Sequence, residues 1–346
     1  MQRLELRQPD DWHVHLRDED ILVAVAPLTA RQFRRALVMP NLAPPVTTTA
    51  AAMAYRQRIL AAVPSGFSFE PLMTLYLTDQ TAPAEIERAA LSKVVMACKL
   101  YPAGATTHSD AGVTEIHRLD TVFACMAEHG MVLSVHGEVV DKDVDIFDRE
   151  ERFIERTLAP LCERHPRLKV VFEHITTAAA VRFIKRARPG VAATLTPQHL
   201  LLNRNDMLVG GIRPHLYCLP ILKTENDRNH LLGAATSDDA RFFAGTDSAP
   251  HSRHSKESAC GCAGVFSAHA AVELYATAFE QAGALDRLEA FLAERGADFY
   301  GVPRNTGQIV LERGDWVMDT QISAGKDCLI PYGAGQTLGW RLKRGD

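Results

Sequence analysis

No excess of basic charge runs along this sequence: 38 Lys and Arg stand against 42 Asp and Glu, a formal charge of −4. Without a net positive field the chain has no general means of gathering nucleic acid or anionic membrane, so any anion must be held by local residues. Small molecules are the expected partners, with no nucleic acid and no membrane among them. Long apolar runs are missing too. The first residues, MQRLELRQPDDWHVHLRD, carry charges where a secretory signal needs an apolar stretch, and no later run is long enough to span a bilayer. A cytoplasmic location is expected. The seven cysteines are an odd number, and Cys98, Cys125, Cys162, Cys218 and Cys328 stand singly, which argues against a disulfide framework. Cys260-Gly-Cys262 has no second thiol pair and reads as packing or loop chemistry, not as a ligand set. Aromatics are few at 7%, yet 47% hydrophobic residues supply a large core and exclude disorder. There is no Pro/Ser-rich linker, low-complexity tract or long repeat, so one domain over residues 1–346 is the simplest organisation.

What the chain does have is an alternation of short apolar, β-rich runs with longer stretches of helical spacing, the mark of a parallel sheet. Eight runs read as strands, ending near His13, Met39, Leu75, Lys99, His136, His174, Thr196 and Asp247. Eight such units close a (β/α)8 TIM barrel of the α/β class. Between strands, Thr114 to His129 places Ile116, Leu119, Val122, Phe123 and Met126 at helical spacings. Further helical patterns cover His269 to Gln281 and Leu285 to Glu294, and a Gly-rich tail from about 301 to 346 is expected to pack on the barrel's outside or foot.

Seven residues that can bind metal or move protons fall at or just beyond the carboxyl ends of these runs: His13, His15, Lys99, His136, His174, Asp247 and His251. Barrel enzymes keep their active sites at that rim. In His13-Val14-His15 the two histidines share one face of a strand and can reach one cation, although such a pair alone could equally be two core or surface histidines. His136 and His174 each end an apolar run, where a lone histidine is more often a hydrogen-bonded core residue. Four histidines so placed are harder to dismiss together. Asp247 could cap the next helix, but a carboxylate beside a metal-bound water also serves catalysis. Lys99 is the odd member, since an ammonium at the end of a buried strand is desolvated and has no lone pair. Either it snorkels to the rim, or burial beside a cation leaves a neutral amine that carbon dioxide converts to a carbamate able to bridge two metals.

The set His13-x-His15, Lys99, His136, His174 and Asp247 resembles the binuclear metal set of the amidohydrolase superfamily. The strings DWHVHLRD (11–18), Met39-Pro40-Asn41, CKLYP (98–102) and GTDSAPH (245–251) are similar in particular to the dihydroorotase family of the compact bacterial type. Only a dozen residues precede His13, too few for half of the β-sandwich that the other large type carries, so no added β-sandwich domain is expected. The resemblance implies two zinc ions per subunit, with cobalt or manganese as substitutes. His13, His15, carboxylated Lys99 (N6-carboxylysine) and Asp247 would bind one, and Lys99, His136 and His174 the other. It further implies a bridging hydroxide as nucleophile, Asp247 as general base and acid, and a homodimer. The substrate pair would be N-carbamoyl-L-aspartate and L-dihydroorotate, in de novo UMP synthesis. Arg17, Asn41 and His251 would hold the substrate carboxylate, and Leu219 and Ala263 would touch the ring through backbone atoms. Arg17 suits the task physically, being always charged and offering a planar pair of donors, while a surface arginine and a loop histidine are the plainer readings of Arg17 and His251. The small, polar segment 104–110 suits a mobile lid, with Thr106 and Thr107 donating hydroxyls to substrate. The metal set alone fixes the reaction class and not the ring, so a hydantoinase-like enzyme is the alternative, and a non-catalytic barrel scaffold a further one.

Overall fold

A computed structural model describes residues 2–343. Among the described residues are thirteen strands, of which the eight of the barrel alternate with helices. β1 (Arg3–Arg7) precedes the barrel strands β2 (Asp10–Val14), β3 (Arg35–Val38), β4 (Glu70–Tyr76), β5 (Val95–Leu100), β6 (Val132–Val135), β7 (Val170–Phe172), β8 (Val191–Leu195) and β9 (Phe242–Ala244). β10 (Gln308–Val317), β11 (Ile322–Ala324), β12 (Asp327–Leu329) and β13 (Thr337–Lys343) follow. β2 to β9 pair in sequence order as one parallel sheet of eight strands. The seam between the last and first strands is closed where the candidate site residues lie: Asp247 N donates to His13 O at 2.8 Å, and His15 N to Ser248 O at 3.0 Å.

Because barrel strands are covered on both faces, they read as continuous apolar runs. Their inward residues, Trp12, Leu37, Leu72, Ala97, Val132, Val171, Ala192 and Phe243, plug the interior. Their outward residues, among them Val14, Val38, Cys98, Leu133, Phe172, Leu195 and Ala244, join the helices in a second core. The foot of the plug is closed by Tyr300, whose ring stacks on Trp12 at 4.3 Å. Gly296 permits that closure, since a Cβ there would lie 2.0 Å from Trp12 Nε1.

Counting upward from the plug in steps of two, Ala97 leads to Lys99 and Tyr101, Val132 to His136, and Phe243 to Asp247. Two residues reach the interior by breaking the alternation. β2 carries one extra residue between Asp11 and Val14 relative to β3, a bulge that turns His13 inward directly after Trp12. His174 takes φ 40°, which lets it face the interior beside its neighbour Glu173.

The expected helices are present in outline. Thr114 to His129 is a 3-10 turn, Ile116–Leu119, followed by helix Asp120–Glu128, and Leu285 to Glu294 opens as 3-10 and continues as a π turn. The tail differs most from the sequence expectation, because four of its segments are strands. β10 pairs with β1 on one side and β13 on the other, joining both chain ends in an antiparallel sheet of three strands. That sheet is tied to helix Ala271–Gln281 through Leu342 N, which donates to Glu273 Oε1 at 3.1 Å.

Candidate metal centre

At the carboxyl end of the barrel, His13, Lys99, His136, His174 and Asp247 are all at most 5% exposed, and His15 is 8% exposed. His15 Nε2 lies 3.1 Å and His13 Nε2 3.4 Å from the same Asp247 oxygen, Oδ1. The His13 ring stands 4.9 Å from that of His174, which stands 5.0 Å from that of His136. The six residues singled out as ligands are thus one continuous cluster.

Three of the four histidines have a partner behind them. His15 Nδ1 donates to Asn41 Oδ1 at 2.8 Å, His136 Nε2 donates to Glu138 Oε2 at 2.9 Å, and His13 Nδ1 lies 2.9 Å from Glu173 Oε2. Such partners fix the tautomer, so that the other ring nitrogen presents a lone pair. Burial pushes His15 down to about 3, with the nearby Arg17 charge adding to the effect, and burial also lowers His136 and His174. These three imidazoles are therefore neutral. Burial alone would raise Asp247, but His15, His13 and Lys99 hold it down at about 2, so it is a carboxylate. Neutral imidazoles and an ionised carboxylate are the states that bind metal.

Lys99 fits the same reading. Its Nζ is fully buried with no hydrogen-bond partner, and burial lowers its pKa to about 8, close enough to neutrality for a reactive free amine. An ammonium left orphaned there would be strongly unfavourable, whereas a carbamate would turn the same side chain into an oxygen ligand. The orphaned Nζ, the partnerless His174 Nδ1 and the cluster of His13, His15 and Asp247 ligand atoms fit divalent metal.

Backbone strain concentrates here. Arg17, His174 and Asp247 all adopt positive φ, at 55°, 40° and 44°. Non-glycine residues hold such angles only where their surroundings over-determine them. Asp11 does so at the seam: its carboxylate accepts from His13 N (3.1 Å), Thr246 N (2.8 Å) and Thr246 Oγ1 (2.6 Å).

Above the cluster is a narrow cavity of about 20 Å³. Its walls include His15, Arg17, Asn41, Thr106, Thr107, Leu219, Asp247 and Ala263. Arg17 Nε donates to Pro250 O at 3.1 Å and Nη2 to His251 Nε2 at 3.0 Å, while its Nη1 is buried without a partner. The segment 104–110 is folded in over the cavity, with Thr107 O accepting from Asn41 Nδ2 at 3.2 Å and Ser109 Oγ bracing Thr106. A wider pocket of about 530 Å³ shares Arg17, Asn41 and His251 as a wall and continues past Pro44, Arg58 and His108.

The structure brings every sequence-selected site residue to this one place. Sequence reasoning passed over Asp11, Glu138, Glu173, Tyr101 and Lys256. Tyr101 was within reach, two residues beyond Lys99 on the same strand face. Lys256 had no local signal: its ammonium is buried and donates to three backbone carbonyls, Tyr217 O and Cys262 O at 2.8 Å and Gly264 O at 2.9 Å. These carbonyls belong to the two loops that carry Leu219 and Ala263. Cys260 and Cys262, set aside as ligands, are free thiols 3.9 Å apart.

Comparison with known proteins places this geometry in context. The sequence profile of the amidohydrolase family matches residues 11–311. The dihydroorotase of Alkalilimnicola ehrlichii is 61% identical over 342 residues, covering 99% of this chain and all of that protein. The structure of Saccharomyces cerevisiae dihydroorotase in complex with 5-fluoroorotic acid superposes with a TM-score of 0.91 at 34% identity, covering 99% of both chains. L-Hydantoinase from Arthrobacter aurescens shares the fold, with a TM-score of 0.81, but only 16% identity over 98% of this chain and 82% of its own.

Proposed function

The chain belongs to the amidohydrolase family and, within it, to the dihydroorotases, and from that membership we propose how its cavity carries the reaction. It is a metal-dependent hydrolase of a cyclic amide, interconverting N-carbamoyl-L-aspartate and L-dihydroorotate plus water in pyrimidine biosynthesis. We propose that His13, His15 and Asp247 hold one divalent metal and His136 and His174 a second, with Lys99 shared between them as N6-carboxylysine. Zinc is the proposed metal, because nitrogen-rich sets of this kind suit it, with cobalt or manganese as substitutes. When bound, the metals supply Lewis acidity, bringing a water toward a neutral pKa and polarising the ring carbonyl.

The remaining work belongs to the chain. Asp247, ionised at neutral pH, takes a proton from the attacking water and passes it to the departing ring nitrogen; ring closure retraces these steps. Arg17 binds the substrate carboxylate with Asn41 and His251, while the backbone at Leu219 and Ala263 meets the ring. Thr106 and Thr107 close over it, excluding water. The observation that carries this reading is Arg17 itself, a permanent cation 8% exposed with one Nη unpartnered in the wall of the metal-lined cavity. A buried guanidinium edge without an acceptor calls for an anion. We further propose a cytoplasmic homodimer, supported by seven free thiols for the compartment and by the family resemblance for the assembly. No helix among the described residues is long and apolar enough to cross a membrane.

The test is turnover of L-dihydroorotate and of hydantoin by metal-replete protein, with Arg17→Ala, Lys99→Ala and Asp247→Asn alongside and bound metal counted in each. Dihydroorotate opening that requires all three residues, with about two metals per chain, is expected. Two metals with activity on hydantoin alone would move the substrate assignment, and loss of neither activity in Thr106→Ala/Thr107→Ala would remove the lid.

A further inference from the structure

Tyr101 is 1% exposed and lines the cavity, yet its hydroxyl makes no hydrogen bond. Buried phenols almost always find a partner, because an unpaired hydroxyl in a closed site is unfavourable by about 1–3 kcal/mol. Its ring is held on two sides, stacked on Tyr76 at 5.1 Å and lying 5.0 Å from Lys99 Nζ, with the His136 ring 6.1 Å away. It therefore stands with the metal-binding residues, whereas Arg17 and His251 are joined by a hydrogen bond beside Pro250, and Asn41 links His15 to the Thr107 carbonyl. The orphaned donor is on the side of the cavity where the reacting carbonyl must sit.

We propose that the Tyr101 hydroxyl is a catalytic residue that donates a hydrogen bond to the oxygen of the reacting carbonyl. This rests on the dihydroorotase reading above. In ring opening, water adds to the amide carbon, the C–N bond then breaks, and the ring nitrogen leaves with the proton carried by Asp247. Between those events the carbonyl oxygen carries the charge of a tetrahedral carbon. In ring closure the ureido nitrogen adds to the side-chain carboxyl carbon, water departs, and the same oxygen bears the charge. A fixed neutral donor aimed there stabilises the transition state more than either ground state and needs no proton transfer of its own. The packed ring is what makes the donor fixed.

Tyr101→Phe retains the ring and removes only the hydroxyl, so it is compared with the parent in both directions. We expect kcat to fall about 100-fold, in line with removal of one oxyanion donor, with KM changed less than about threefold. Bound metal should match the parent, and the unfolding midpoint should be equal or higher, since an unpaired buried hydroxyl has been removed. Unchanged kcat in an active parent would overturn the proposal alone. A raised KM with kcat intact would place the hydroxyl on a non-reacting part of the substrate, and loss of bound metal would place it on the Lys99 side chain; either result overturns the assignment. An inactive parent would overturn the functional reading and this assignment with it.

Discussion

His15 and Asn41 are joined at 2.8 Å, Nδ1 donating to Oδ1, and the same amide donates from Nδ2 to the Thr107 carbonyl at 3.2 Å. One side chain thus sets which nitrogen of His15, a proposed metal ligand, faces Asp247 and also meets the loop over the cavity. The two contacts can be separated. Asn41→Ala removes both and should weaken metal affinity about tenfold or more, while Asn41→Asp keeps the acceptor and loses the donor. The Asp variant should retain its metal but show a raised KM. Metal titration with a competing chelator, beside steady-state kinetics, checks both; parental metal affinity in the Ala variant would sever the link.

Glu173 lies behind His13 at 2.9 Å and also accepts from Thr194 Oγ1 at 2.6 Å, so its carboxylate is oriented before any metal arrives. Glu173→Gln preserves size and acceptor but removes the charge that strengthens the imidazole as a ligand. An affinity loss of about 10-fold to 100-fold is expected for the metal at His13. Metal content after dialysis against a graded chelator series would show it, and an unchanged profile would reduce Glu173 to a packing role.

Lys256 fastens the Leu219 and Ala263 loops through three carbonyls. Lys256→Met leaves the Cys262 and Gly264 carbonyls without this donor, while Tyr217 O keeps Gly264 N; with each buried unpaired group unfavourable by about 1–3 kcal/mol, a net destabilisation of about 3 kcal/mol is expected after relaxation. If the loops position the ring, KM should rise about tenfold with a smaller change in kcat. Denaturant unfolding and kinetics measured together distinguish loosened loops from a globally weakened fold.

His199 is fully buried as a neutral ring: Nδ1 accepts from Thr196 Oγ1 at 2.7 Å and Nε2 donates to Pro220 O at 3.0 Å. Burial lowers its pKa to about 4, against about 6.5 in the unfolded chain. Between those values the unfolded state binds the extra proton, so stability falls as pH drops from about 6.5 to about 4. The shift corresponds to about 3 kcal/mol at full extent. His199→Gln should flatten that part of the stability curve measured by urea unfolding across the window; an unaltered slope would assign the acid sensitivity elsewhere.

Much of the site was legible before folding. A strand covered on both faces must be apolar throughout, so Lys99, His136, His174 and Asp247 at the ends of such runs stand out against their context. Eight βα units bring all those ends to one rim, which is why residues more than two hundred positions apart could be grouped without coordinates. The supporting shell was not legible. Glu138, Glu173 and Asp11 are acidic residues next to histidines, and nothing local distinguishes a buried ligand partner from a solvated carboxylate. The tail's strands were missed for a related reason: β10 is held by β1 and β13, and the pairing of Arg3 with Glu312 lies far beyond the reach of a local pattern.

The sequence by itself determined the eight βα units, the barrel and the candidate ligand residues at its rim, because hydrophobic period and residue chemistry are local properties. Only the tertiary structure decided how those residues meet. The bulge in β2 that turns His13 inward, the left-handed backbone at Arg17, His174 and Asp247, and the orphaned donors of Arg17 and Tyr101 exist because packing over-determines each position. Strain and unpaired polar groups are held in place by contacts from elsewhere in the chain, and no stretch of sequence contains those contacts.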